Sequence, residues 1–236
     1  MLVLLSCAKT MSDKSKIKPP FVTSPKYQKE ALLMAKTMSS YSSEELRTIL
    51  KVNPQIAAKC ALLYKIFLSE HQNEGKLPAI IAYSGLVFKK LDPSTFTKDD
   101  FLYAQDHLRI TSFFYGLLKP LDLISQYRME GNVELFDSEY KNAFDFWKDK
   151  LTDELIEDTK KVGGILCNLA SHEMRSLFDW KRVEKELTVF SPEFKTYKDG
   201  KLKTIVVYTK IARGETARQI IKERIEDPNI LELPEY

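Results

Sequence analysis

The stretch Asp99–Gly131, DDFLYAQDHLRITSFFYGLLKPLDLISQYRMEG, carries the densest set of structural signals in the chain. Its opening, with Thr97-Lys98 just ahead, reads as a helix start, because Asp99 and Asp100 fall in the first turn, where the helix dipole favours negative charge. The helix so predicted carries Phe101, Ala104, Gln105, Leu108 and Arg109. Gly116 then marks a compact turn, and Lys119-Pro120 opens a second apolar-periodic segment. Two helices about a tight turn predict a helix–hairpin–helix-like element over about residues 99–124. In such an element backbone N–H groups and a helix N-terminus face a phosphate, with Arg109, Lys119 and Arg128 available as counter-charges. An ordinary pair of helices packed on a sheet has the same periodicity, so the pattern leaves both readings open.

Outward from this stretch the chain alternates strand and helix signals without a regular rhythm. Leu2–Leu5 reads as a buried strand, and Ser24-Pro25 as the start of a helix through about Met38. Ser42-Ser43-Glu44-Glu45 has capping-box spacing, Asn53-Pro54 opens a longer amphipathic helix ending before Gly75, and Pro78–Tyr83 reads as a strand buried on both faces. On the C-terminal side, Phe144–Ile156 predicts a helix, Gly164–Leu169 a buried strand, and Ser171 the cap of a short helix. Asp199-Gly200 predicts a hairpin between Glu186–Tyr197 and Lys201–Thr209, with Gly214 preceding a last helix to about Ile225 that Asp227-Pro228 stops. There is no repeat and no linker-like segment. The expected fold is α/β: one mixed domain over residues 1–236, with a central, largely buried β-sheet surrounded by helices.

Composition narrows the function classes. With 44% hydrophobic and 29% charged residues in 236, the chain has enough apolar content for a core and enough charge for a water-facing surface. No uncharged apolar run approaches the roughly 18 residues a membrane helix needs, so no membrane partner is expected. Cys7, Cys60 and Cys167 are odd in number and widely spaced, which predicts reduced thiols in a cytoplasm. Lys9 near Cys7 raises the option of a peroxide-reactive thiolate, although a buried core cysteine is the stronger reading. The histidines His71, His107 and His172 stand far apart, so neither a metal nor another cofactor is expected. Walker, dinucleotide, nucleophile-elbow and zincin motifs are all missing.

The net charge of +3 conceals segregation. Residues 1–29 carry six lysines against Asp13 alone, and residues 195–225 carry nine cations against three carboxylates. Residues 130–158 hold ten carboxylates against three lysines. Two basic segments on one face would suit a phosphate-bearing partner, whereas dispersed lysines would only keep the protein soluble. A second constellation sits at the ends of predicted elements: Lys9, Arg128 with Glu130, Ser171 with Glu173, and Lys210 with Arg213. Strand ends are where open α/β sheets gather binding groups, so these residues predict an anion-binding cleft, with Glu130 or Glu173 as candidate general acid or base. Scattered surface ion pairs are the alternative.

Taken in order, several short stretches resemble the peroxide stress resistance protein YaaA family along almost the whole chain. They are Ser6-Cys7-Ala8-Lys9-Thr10, Ala82–Leu91, His107-Leu108-Arg109, Tyr115 through Leu123, Tyr127-Arg128-Met129-Glu130, Phe146-Trp147, Asn168 through Glu173, and Lys210-x-Ala212-Arg213-Gly214. Cys7 stands where the family usually has proline, Phe113-Phe114 where Gly-Leu is common, and Ser84-Gly85-Leu86 where Lys-Gly-Asp is common. The resemblance implies a cytoplasmic protein that helps cells survive hydrogen peroxide by limiting iron-dependent damage. It also implies sequence-nonspecific binding of duplex or locally unpaired DNA in a basic cleft carrying a helix–hairpin–helix element. The anion contacts expected on that basis are Lys9, Arg109, Tyr115, Gly116, Lys119, Arg128, Ser171, Lys210 and Arg213. An enzyme acting on a small anionic or nucleotide-like substrate in the same Lys/Arg/Glu-lined cleft is the alternative.

Overall fold

The structure, a computed structural model, describes residues 1–69, 75–135, 139–198 and 200–232. His71 and Asp199 lie outside the described residues, so neither that histidine nor the first residue of the expected Asp-Gly turn is placed. In chain order, β1 (Leu2–Ser6) is followed by α1 (Gln28–Ser40), α2 (Ser43–Ile49) and α3 (Pro54–Phe67). Next come β2 (Leu77–Pro78), α4 (Ala79–Ala82), α5 (Leu86–Leu91) and α6 (Lys98–His107). Then follow β3 (Leu108–Ser112), β4 (Gly116–Leu118), β5 (Leu123–Ile124) and the long α7 (Ala143–Lys161). The chain continues through β6 (Ile165–Asn168), α8 (Trp180–Glu186), β7 (Thr188–Phe190), the pair β8 (Thr196–Lys198) and β9 (Lys201–Lys203), and α9 (Val206–Glu223).

The principal sheet has the order β4-β3-β1-β6-β7. β1 pairs in parallel with β3 on one side and β6 on the other, β7 adds in parallel to β6, and β4 folds back antiparallel on β3. Helices cover a core that runs from Met1–Leu5 through Leu108, Ile110, Trp147 and Leu166 to Ile220 and Ile221. Chain order therefore reverses about β1: the next parallel strand lies to one side of it and the third to the other. In open sheets a crevice forms at the carboxyl ends of strands at such a reversal.

Local chemistry fixes the helix ends. Ser42 and Glu45 form a reciprocal capping box, as do Thr97 and Asp100, and Asn53 accepts from the Ile56 N–H with Pro54 in the first turn.

The expected helix–hairpin–helix over residues 99–124 does not form. α6 ends at His107, and the next five residues become β3, buried along its whole length between β1 and β4. The apolar character of Leu108–Ser112 belongs to a central strand rather than to one face of a helix. Nor does Lys119-Pro120 open a second helix. The Asp122 carboxylate accepts from the Lys119 N–H at 2.8 Å and the Asp122 N–H donates to the Lys119 carbonyl at 3.2 Å, closing a turn.

Three other boundaries differ. Of Pro78–Tyr83, only Pro78 is strand; Ala79–Ala82 forms one buried helical turn, since a short run that is apolar all round suits either geometry. Thr188–Phe190 joins the principal sheet, leaving the hairpin to β8 and β9 alone. Gly214 lies inside α9, not before it: a Cβ there would stand 2.3 Å from the Val87 carbonyl oxygen, so this glycine is the notch that lets α9 close on α5.

Candidate anion-binding pocket

β1 and β6 leave the sheet side by side, and their exits are tied together: the Ser171 N–H donates to Ser6 Oγ at 2.8 Å. Above this junction lies a cavity of ≈ 380 Å³. The segment after β1 supplies Ser6–Thr10, the start of α5 supplies Gly85–Phe88, and the segment after β6 supplies Leu169, Ser171, Glu173 and Met174. Phe113 comes from the end of β3, Tyr127–Glu130 from the chain beyond β5, and Lys210 and Arg213 from the first half of α9.

The walls sort by polarity. Tyr127, Met129, Leu169 and Met174 are buried and close the floor with Phe113 and Phe88. Ser112 Oγ is 2.7 Å from the Tyr127 hydroxyl, which is 2.7 Å from that of Tyr83, so the floor rests on a satisfied polar network. Arg128, Glu130 and Arg213 are half-buried above it, and Lys9, Glu173 and Lys210 stand exposed at the mouth. Four cations and two carboxylates thus share one concavity, two positive charges in excess.

These ions are not equally compensated. Lys9 Nζ holds both oxygens of Glu130, at 2.8 and 2.9 Å, and Arg128 Nη2 lies 3.9 Å from the same carboxylate. The Arg128 main chain is held on both sides by the Tyr64 hydroxyl, yet its buried Nε has no partner. Arg213 makes no hydrogen bond or ion pair with another described residue. Burial, reinforced by the nearby positive charge of Arg175, holds its pKa below the usual arginine value. Arg175 lies over the Trp180 ring, 4.9 Å from its centroid, and its own buried Nε is also unpartnered. Arg175 does not line the cavity and its Nη2 bonds Ser191 Oγ at 3.4 Å, so Arg213 is the lining guanidinium left ready for an anion.

Seven of the sequence-predicted residues therefore meet: Lys9, Arg128, Glu130, Ser171, Glu173, Lys210 and Arg213. Four do not. Arg109 is 3% exposed on β3; its Nε bonds Asp158 at 2.8 Å and its Nη1 reaches the Gln105 and Leu108 carbonyls. Tyr115 is buried, its hydroxyl accepting from the Ser125 N–H at 3.0 Å. Gly116 adopts φ +76 at the start of β4, beneath Tyr27 and Trp147, and the Lys119 backbone serves the Asp122 turn. Sequence reasoning missed the aromatic floor and the influence of Arg175 on Arg213. Arg175 sits two residues beyond Glu173, but only the spatial neighbourhood of α9 marks it out.

Cys7 lines the cavity, and burial pushes its thiol up to about 12, with a hydrogen bond to Tyr127 only partly opposing this. Lys9 is committed to Glu130, so Cys7 is a protonated wall residue rather than an activated thiolate. His107 stacks on Tyr103 with centroids 3.9 Å apart, and its Nδ1 is 3.0 Å from the Met1 carbonyl oxygen. Among the described residues no three His, Cys, Asp or Glu side chains gather closely enough to share a metal ion. Also among them, no helix is long and apolar enough to cross a membrane.

Over residues 1–235 the chain matches the family model described as peroxide stress protein YaaA. A UPF0246 protein of Bacteroides fragilis is 58% identical over 226 residues, covering 96% of this chain and 87% of the relative. One from Bacteroides thetaiotaomicron is 55% identical over 231 residues, covering 98% and 89%. One from Porphyromonas gingivalis is 44% identical over 226 residues, covering 95% and 88%. A single family model thus spans both basic segments, the sheet and every wall of the cavity, and the chain belongs to the peroxide stress protein YaaA family.

Proposed function

We propose that the cavity binds a phosphate-bearing, nucleotide-like anion, and that the protein plays its part in peroxide stress through that binding, in the cytoplasm. The observation that carries this reading is Arg213, a half-buried guanidinium beside Arg175 with no ion pair or hydrogen bond to a described residue. An uncompensated cation in a partly desolvated wall costs free energy that a bound anion recovers. The floor is apolar and aromatic, which suits a planar base, and ≈ 380 Å³ lies within the range of small-ligand sites. Isothermal titration with adenosine monophosphate tests it. Binding is expected for the native protein, with an affinity on the order of tenfold or more lower for Arg213→Gln, as for loss of a charged hydrogen bond. Equal affinity in the two proteins would remove the basis for the reading.

DNA lying across the mouth of the same cavity is a second reading, favoured by the loop that leaves Lys9. Lys14, Lys16 and Lys18 on that loop are all exposed. Covering DNA would limit iron-dependent damage without the protein holding iron. Phosphate contacts would dominate, so binding of a labelled duplex, or of one with an unpaired bubble, should weaken steeply with added salt and show little sequence preference. Binding indifferent to salt argues against this reading.

The two carboxylates also support a catalytic variant. Glu130 is neutralised by Lys9, while Glu173 stands exposed and makes no hydrogen bond or ion pair with another described residue, so Glu173 is the better-placed general acid or base.

A further inference from the structure

We infer that the cavity recognises a terminal phosphate monoester and discriminates against the phosphodiesters inside a nucleic-acid strand. This rests on the anion-pocket reading and deepens it. The first support is charge: the cavity holds two more cations than carboxylates, matching a group that carries close to two negative charges at neutral pH. A diester carries one. The second is the placement of the unsatisfied donors. Arg213 makes no hydrogen bond or ion pair with another described residue, and Arg128 in the same lining keeps an unpartnered Nε. Three acceptor oxygens on one phosphorus can engage donors arriving from several directions, whereas a diester offers only two unesterified oxygens. The third is shape. Buried Tyr127, Met129, Leu169 and Met174 belong to the core as well as to the lining, so on their side the cavity ends against packed side chains. A cavity that ends in this way admits the end of a chain or a free small molecule, while a continuous strand needs an exit.

Two sources present this chemistry: a free nucleoside 5′-monophosphate, and the phosphorylated 5′ end of a DNA strand. Titration of adenosine monophosphate, its methyl ester and adenosine tests the inference. A short oligonucleotide with and without a 5′-phosphate separates the sources. The monophosphate should bind at least about tenfold more tightly than the ester or the nucleoside, the scale of a lost charged hydrogen bond. That preference should collapse in Arg213→Gln, with circular dichroism and thermal unfolding reporting the fold. Lys210→Gln, altered at an exposed position, should lower the same preference should Arg213→Gln not fold. A matching preference between the oligonucleotides assigns the site to strand ends; its absence, with the monophosphate preference intact, assigns it to free nucleotides. Ester and monophosphate binding equally, both lost in Arg213→Gln, would overturn this inference and leave the anion pocket standing. No binding of any of these anions would overturn both.

Discussion

Arg109 and Arg213 are the same side chain in two environments, and the contrast explains why residue type alone could not assign them. Arg109 is buried on β3, with Asp158 of α7 as its charged partner at Nε and two backbone carbonyls accepting from its Nη1. Burial alone would raise the Asp158 carboxyl, but the Arg109 charge and hydrogen bonds from Lys161 and Arg109 outweigh it and hold the pKa below the ordinary value. Removing one member of a buried pair leaves the other uncompensated. Arg109→Leu is therefore expected to lower the free energy of unfolding by about 3 kcal/mol, measured by urea denaturation, while anion affinity stays close to native below the transition. A large loss of affinity in a stably folded variant would place Arg109 in the binding surface after all. Nothing in the local sequence separates the two arginines, because Asp158 lies 49 residues from Arg109 and belongs to another element.

Signals contained within a few residues were readable, and those that depend on a partner strand were not. The capping box at Ser42 forms as its spacing predicts, and the helix start read at Thr97-Lys98-Asp99-Asp100 is where α6 begins. The segment after His107 looked helical because apolar residues dominate it, yet a strand flanked on both sides is equally apolar. The same α6 illustrates how elements are joined. Asp100 in its first turn bonds Lys222 at 2.7 Å and Arg224 at 2.9 Å, clasping the N-terminus of α6 to the C-terminus of α9, where each helix dipole favours the arrangement. Burial opposes ionisation of Asp100, but these hydrogen bonds and those from Thr97 prevail and keep its pKa well below the usual carboxylate range. A depressed folded-state pKa gives stability that is present above the unfolded value of about 3.9 and lost as pH falls through the folded one. Asp100→Asn should thus cost about 2 kcal/mol at neutral pH. The gap should narrow below roughly pH 4 in acid unfolding curves, whereas a gap that persists unchanged into strong acid would assign the loss to packing.

Across the whole molecule, the sheet order accounts for the site. Placing β1 between β3 and β6 makes the segments that follow β1 and β6 neighbours, and the end of β3, α5, Tyr127–Glu130 and α9 complete the walls. Cavity-lining residues at element ends were legible in the sequence, since Lys9, Ser171 and Lys210 stand near predicted boundaries. The sequence could not reveal that Arg109 points away into the core, nor that Gly214 brings α9 against α5 and so carries Lys210 and Arg213 to the cavity. The crystal structure of the protein with adenosine monophosphate tests the central claim most directly. The account predicts the phosphate in the cavity above the β1–β6 junction, with its oxygens in hydrogen-bond contact with Arg213 and Arg128. A nucleotide bound elsewhere at saturating concentration, with these guanidiniums still unpartnered, would contradict it.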